Sequence, residues 1–407
     1  MSSVKGGILA LVLAGGKGER LHPLTSERTK PSVPFGGKYR IIDFALSNLV
    51  NSEIYSVYIL VQYKSQSLIE HIRTAWRRGG VSPKHFITVV PPQMRKKELS
   101  GWYRGTADSV YQNINLIHDY KPQLVAIFGG DHIYRMNIKD MIDYHLKKKS
   151  QATIAVIPVE AKQAYQFGVV SVDNNFKVKQ FKEKPSLSRN KMVFASMGNY
   201  IFNTDFLIDA LGKDVGRNTT HDFGRDIIPY LVKKKGEVYA YDFSQNRIPA
   251  LKKYEPRYYW RDVGTILSYW QANMDLLGPE PKFNLDNQSW PIYTSNLSCP
   301  PVYIGTSEIE NSLVCEGAKL SGCKVKNSIL GRGVIVKQGC LIENSIIMDF
   351  THIERACCIK GAIIDRFNVI PKDTRIGYDK EADAKNYYRD ACGIVVVKRG
   401  LRQACYW

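Results

Sequence analysis

Apolar positions in the first 280 residues follow two alternating patterns. Continuous runs at 8–13, 57–61, 86–90, 124–128, 153–159 and 195–202 are rich in branched residues and predict strands buried on both faces. Helical spacing marks 40–51, 67–77, 107–120, 138–147 and 222–233, with Asp222 as a cap for the last. Strands alternating with helices predict an α/β domain built on a mostly parallel, doubly covered sheet. Ligands of such a sheet bind beyond the carboxyl ends of its strands.

After residue 277 the pattern changes. Pro279, Pro281, Pro291, Pro300 and Pro301 mark an irregular connection. A short repeat follows: IENSLV at 309, VKNSIL at 325, IENSII at 342 and IKGAII at 359, spaced 16, 17 and 17 residues. Small residues recur three places into each unit, at Ser312, Ser328, Ser345 and Ala362, and Ser307, Cys323, Cys340 and Cys357 stand two places before each. This period, with few helix formers, predicts a parallel β-helix of about four visible coils, with the small residues stacked at its corners. The three cysteines are expected to be a buried ladder of small hydrophobes rather than a metal or redox centre. The expected boundaries are a catalytic domain over 1–280, a linker over 281–301 and the coil over 302–407.

Charge narrows the class of partner. The 407 residues carry 57 Lys and Arg against 38 Asp and Glu, a formal excess of 57 − 38 = 19 positive charges, which favours phosphorylated or otherwise acidic ligands. The basic residues are dispersed and no helix-turn-helix, zinc or RNA-binding signature accompanies them, so nucleic acid is not expected as a partner. No run approaches a membrane span, and 8–14 reads as a buried strand rather than a signal-peptide core, so a cytoplasmic protein is expected. All eight cysteines lie between 299 and 405 without a C-x-x-C pair.

The candidate chemistry begins at LALVLAGGKGERL (9–21). Gly15, Gly16 and Gly18 allow backbone N–H groups close to a phosphate, with Arg20 and Lys30 near enough in sequence to pair with it. The spelling fits neither G-x-G-x-x-G nor a Walker A loop, and a plain strand-end turn is the alternative on the loop alone. GGDHIY (129–134) ends an apolar run in an acid, Asp131, which suits Mg²⁺ shared with phosphate oxygens or, equally, a turn aspartate. Asp262 is a second acid beside a glycine. The DFG at 222–224 lacks the rest of a kinase motif set.

Together these pieces resemble the sugar-nucleotide pyrophosphorylases. The opening G-G-x-G-x-R-L, KPSVPFGGKYRIIDFALSN (30–48), WYRGTADSV (102–110), GGDHIY, FKEKP (181–185), SMGNYIF (196–202), HDFGRDIIP (221–229) and YWRDVGT (259–265) are similar, in order, to the ADP-glucose pyrophosphorylase (glucose-1-phosphate adenylyltransferase) branch. The resemblance covers nearly the whole chain. It implies a Rossmann-like nucleotidyltransferase domain and a C-terminal left-handed β-helix. Gly15, Gly16, Arg20 and Lys30 match the nucleotide phosphate loop, with Arg20, Lys30 and Asp131 in catalytic positions. Asp131 and Asp262 match the two Mg²⁺ carboxylates. Tyr103, Gly168, Glu183, Lys184 and Ser196 match positions that hold glucose 1-phosphate, and Gln62 and Gln93 match glutamines on the nucleotide side. Three departures bear on regulation: Gln93-Met94 replaces a Gln-Gln pair, the segment before Trp102 is one residue longer, and Glu27 stands where some members carry a basic activator contact.

The implied reaction joins AMP from ATP to α-D-glucose 1-phosphate, giving ADP-glucose and pyrophosphate for glycogen- or starch-type synthesis, in a homotetramer. A pyrophosphorylase for another nucleotide or sugar phosphate is one alternative, although bifunctional members carry a longer coil with an acyltransferase site. A non-catalytic regulatory subunit is the other, against which the retained Arg20, Asp131, Lys184 and Asp262 speak.

Overall fold

The structure, a computed structural model of the chain, describes residues 7–76, 85–93, 102–186 and 192–402. Its first strand, Ile8–Leu13, is the middle of a mixed sheet, flanked in parallel by Leu124–Gly129 and Ser56–Leu60, with Phe86–Val90 outside the latter. Alternation sends Leu9 and Leu11 into one layer of core and Ala10 and Val12 into the other. Helices cover both faces, so this block reads as continuous apolar sequence. Beyond Leu124–Gly129 the sheet turns antiparallel, through the long strand Met192–Asn203, which pairs with Ala152–Glu160 and Gly168–Val172. Val178–Glu183 and Val238–Asp242, neither of which the sequence pattern singled out, complete it.

The expected helices are present, with three corrections. The helix expected over 67–77 spans Gln66–Ala75, and residue 77 lies outside the described residues. The helix expected over 107–120 is two, Thr106–Gln112 and Ile114–Tyr120, because Asn113 leaves helical geometry while its amide donates to the Ser109 carbonyl and the Tyr103 hydroxyl. The helix expected over 222–233 opens as a wide turn, Phe223–Ile227, before the α-helix Ile228–Lys233. Pro229 has no N–H to give the preceding turn, while Asp222, as expected, caps it by accepting from the N–H groups of Gly224 and Arg225.

Residues 303–397 form the β-helix. Its three parallel faces begin at Tyr303–Ile304, Glu308–Glu310 and Leu313–Val314, and each is extended rung by rung. There are five rungs, one more than the repeat displays. The third strand of the last rung is Val395–Val397, separated from Arg375–Ile376 by a helix, Lys380–Asn386, and a short strand. The serines form a ladder: Ser312, Ser328 and Ser345 each accept from the backbone N–H of Ser328, Ser345 and Ala362 one rung on, at 3.0–3.2 Å. The tight corner itself falls one residue earlier, where Asn311, Asn327, Asn344 and Gly361 take positive φ. Cys323, Cys340 and Cys357 are buried free thiols in the coil's core, as expected.

The coil packs against the catalytic domain. Ile329, Ile346 and Ile363, one from each successive rung of the third face, share a core with Phe35, Phe44 and Tyr269. A buried ion pair joins Arg28 to Asp365, and the Trp270 indole donates to the Asn344 carbonyl at 3.1 Å. The irregular connection before the coil buries Phe283, Trp290 and Ile292. Among the described residues no helix is long and apolar enough to cross a membrane.

Candidate active site

The parallel strands end along one edge, and a cavity of about 780 Å³ lies against it, a size suited to small-molecule ligands. Leu13, paired with Leu60 and Gly129, passes the chain into the glycine loop on its floor. Gly16 has open space where a Cβ would stand, so a ligand can approach the backbone there. Gly18 has φ 64, and a Cβ on it would stand 3.0 Å from the Cβ of Lys30. The loop thus folds directly onto the turn Lys30–Ser32. Arg20, whose side chain is largely exposed, reaches over the same cavity with Nη2 3.9 Å from Oδ2 of Asp262.

Asp131 and Asp262 are brought together by a two-stranded antiparallel ribbon in which Asp262 pairs with His132. Between their carboxylates lies the ammonium of Lys30, 3.0 Å from Oδ2 of Asp131 and 2.6 Å from Oδ1 of Asp262. Burial would push the Asp131 carboxyl up, but Lys30 and then His132 hold it well below the usual carboxylate range. Burial alone would lower Lys30. Asp131 and Asp262 more than offset it, so this lysine stays charged. Asp131, His132 and Asp262 offer donor atoms within 4.8 Å of one another. Two carboxylates facing this cavity are hard oxygen donors of the kind Mg²⁺ takes when it keeps its other positions for water and phosphate. The residues fit the ion.

The same cavity is lined by the residues expected for the sugar phosphate. Gly168 pairs with Glu183 across neighbouring strands, and a Cβ at either Gly168 or Gly224 would stand 2.9 Å from Oε2 of Glu183. The carboxylate therefore sits in a pinch between two glycines. Burial, and secondarily the Asp222 carboxylate, push its pKa up. Lys184, Ser196 and Tyr103 line the same cavity. Lys184 departs from the extended backbone that a following proline favours. Its φ is 46, because its N–H turns back to donate to the Phe167 carbonyl at 3.0 Å. Gln62, expected on the nucleotide side, lines the cavity and grips the Tyr103 backbone from both ends, accepting from its N–H at 2.6 Å and donating to its carbonyl at 3.3 Å.

One expected residue stands apart: Gln93 is exposed and does not line the cavity. Others line it unforeseen. His132 packs against Trp260 with the rings tilted and their centroids 5.0 Å apart, and its Nδ1 is buried without a hydrogen-bond partner among the described residues. Asp222 and Gly224, read before only as a helix cap and part of a family motif, line the cavity beside Glu183. The run of aromatics before Asp262 was the available signal for Trp260.

The nucleotidyl transferase family profile matches residues 9–278, and a GlmU-like C-terminal hexapeptide profile matches residues 305–397. The chain is 50% identical over 400 residues to a glucose-1-phosphate adenylyltransferase of Thermodesulfovibrio yellowstonii, with 97% of each chain covered. It is 50% identical to the protein of that name from Thermus thermophilus, covering 98% of this chain and 100% of the relative. To the one from Deinococcus radiodurans it is 43% identical, covering 97% and 98%.

Proposed function

Starting from the fact that this chain belongs to the nucleotidyl transferases, in the glucose-1-phosphate adenylyltransferase family, we propose how its cavity carries out the transfer. The enzyme transfers AMP from ATP to α-D-glucose 1-phosphate, giving ADP-glucose and pyrophosphate. The observation that carries the reading is that the glycine loop, the Asp131–Asp262 pair and the Glu183–Lys184 wall all face one cavity.

The nucleophile is a phosphate oxygen that is already anionic, so no strong general base is needed, and positioning and charge neutralisation carry the catalysis. The loop at Gly15 and Gly16 presents N–H groups to the triphosphate, Arg20 adds a bidentate cation, and Gln62 with Tyr103 shapes the base side. Lys184 attracts the phosphate of the sugar phosphate, while Glu183, fixed by its two glycines, accepts from sugar hydroxyls. Ser196 and Gly168 border the same pocket. Mg²⁺, held by Asp131 and Asp262, would neutralise charge on the phosphates. The family context adds a homotetramer in the cytoplasm that supplies activated glucose for α-glucan synthesis. Formation of ADP-glucose from ATP and glucose 1-phosphate, abolished by a chelator and restored by Mg²⁺, tests the reading. Turnover unaffected by the chelator would refute its metal part.

A further inference from the structure

We propose that Lys30 is a resident cation of the acidic pair. Its ammonium fills the place between Asp131 and Asp262 where the divalent ion is to be held, so the ion enters only as the lysine leaves. This inference rests on the reading that those two aspartates are the metal carboxylates.

The geometry gives three reasons. First, one nitrogen bonds an oxygen of each carboxylate, at 3.0 and 2.6 Å, and a Mg²⁺ ion drawing on the same two oxygens at about 2.1 Å would set two further positive charges against the ammonium. Second, the side chain of Lys30 is 7% exposed while those of Asp131 and Asp262 are 37% and 16% exposed. The carboxylates therefore open to the cavity and the lysine comes from behind them. Third, Asp262 ends one strand of the ribbon and Asp131 immediately precedes the other, and like charges so close repel unless a cation lies between them. A single ammonium lets the site stay assembled without metal, with the largely exposed Arg20, 3.9 Å from Asp262, as the second cation beside the pair.

The displaced ammonium has somewhere to go. The base of the Lys30 side chain lies against Gly18 of the phosphate loop, and its four-carbon stem can swing the charge towards a triphosphate there. Nucleotide phosphates would then take the lysine as the carboxylates take the metal. The nucleotide-free protein should bind divalent metal poorly, and metal and nucleotide should bind with strong mutual assistance.

Mn²⁺ is the probe, its free concentration read by electron paramagnetic resonance in titrations of the full chain without nucleotide. Lys30→Met should bind Mn²⁺ at least about tenfold more tightly than the native protein, since the competing charge is gone. Adding Asp262→Asn to that variant should remove the gain. In the native protein, saturating Mn²⁺ alone should raise acetylation of Lys30 by acetic anhydride, quantified by mass spectrometry. That measurement decides the matter if Lys30→Met does not fold. Lys30→Met binding no more tightly than native, with ATP-dependent Mn²⁺ binding still lost in Asp131→Asn, overturns the exchange alone. Lys30 acetylation unchanged at saturating Mn²⁺ also overturns it. ATP-dependent Mn²⁺ binding indifferent to both Asp131→Asn and Asp262→Asn overturns the metal assignment and the exchange together.

Discussion

The Lys30 ammonium lies 2.6 Å from a carboxylate oxygen of Asp262, a residue 232 positions further along the chain. The contact joins the phosphate loop at the start of the catalytic domain to the ribbon near its end, with Asp131 as the third member. Either aspartate alone can still pair with the lysine, so Asp131→Asn should keep the fold. It should lose about 100-fold or more in turnover, the scale of several kcal/mol of charge stabilisation. Circular dichroism and steady-state rates check both halves. Near-native turnover would remove Asp131 from the chemistry.

Lys184 provides a different kind of contact. A fixed ammonium attracts the sugar phosphate equally before and during reaction, so it contributes uniform binding. Lys184→Gln should cost about 1.5–3 kcal/mol, which raises the KM for glucose 1-phosphate about 10- to 150-fold. The KM for ATP and the turnover at saturation should move little. A rise confined to the ATP KM would put Lys184 on the other side of the cavity.

Thiol chemistry tests the coil. Burial pushes the Cys340 thiol up to about 12, and burial also raises Cys323 and Cys357. A thiol with a pKa that high is only about one part in a thousand thiolate at pH 9. Raising the pH from 7 to 9 should therefore accelerate iodoacetamide labelling of the exposed Cys392 while leaving the three ladder thiols unlabelled until the protein unfolds. Peptide mapping after alkylation reads this directly, and rapid native labelling of the ladder would contradict the packing.

The domain junction has its own test. Arg28 and Asp365 are each at most 2% exposed, so removing one leaves the other charge buried and unpaired. Asp365→Ala should destabilise the protein by about 3–5 kcal/mol, seen as a lower midpoint in urea unfolding. An unchanged midpoint would show that water or another group takes over the pairing.

Strands buried on both faces, such as Ile8–Leu13, were legible because they are apolar throughout. Val178–Glu183 was not, since Lys179, Gln180 and Lys182 face solvent and hide the alternation. The fifth rung escaped because residues 377–394 interrupt the period before Val395–Val397 restores it. At the site, the glycine loop and Asp131 announce themselves by local spelling. The pairing of Asp262 with His132 depends on a non-local register that no spacing encodes, and only family resemblance linked the two acids.

The central claim is that this one cavity joins AMP from ATP to glucose 1-phosphate. Its most direct test is pyrophosphate release, with Mg²⁺, from ATP, UTP, GTP, CTP and dTTP, each paired with glucose 1-phosphate, mannose 1-phosphate and N-acetylglucosamine 1-phosphate. ATP with glucose 1-phosphate should give the highest kcat/KM, by at least about tenfold over any other pairing, and Asp131→Asn should reduce that signal to near background. A preference for UTP or for the amino sugar, or no turnover with any pairing, would contradict it.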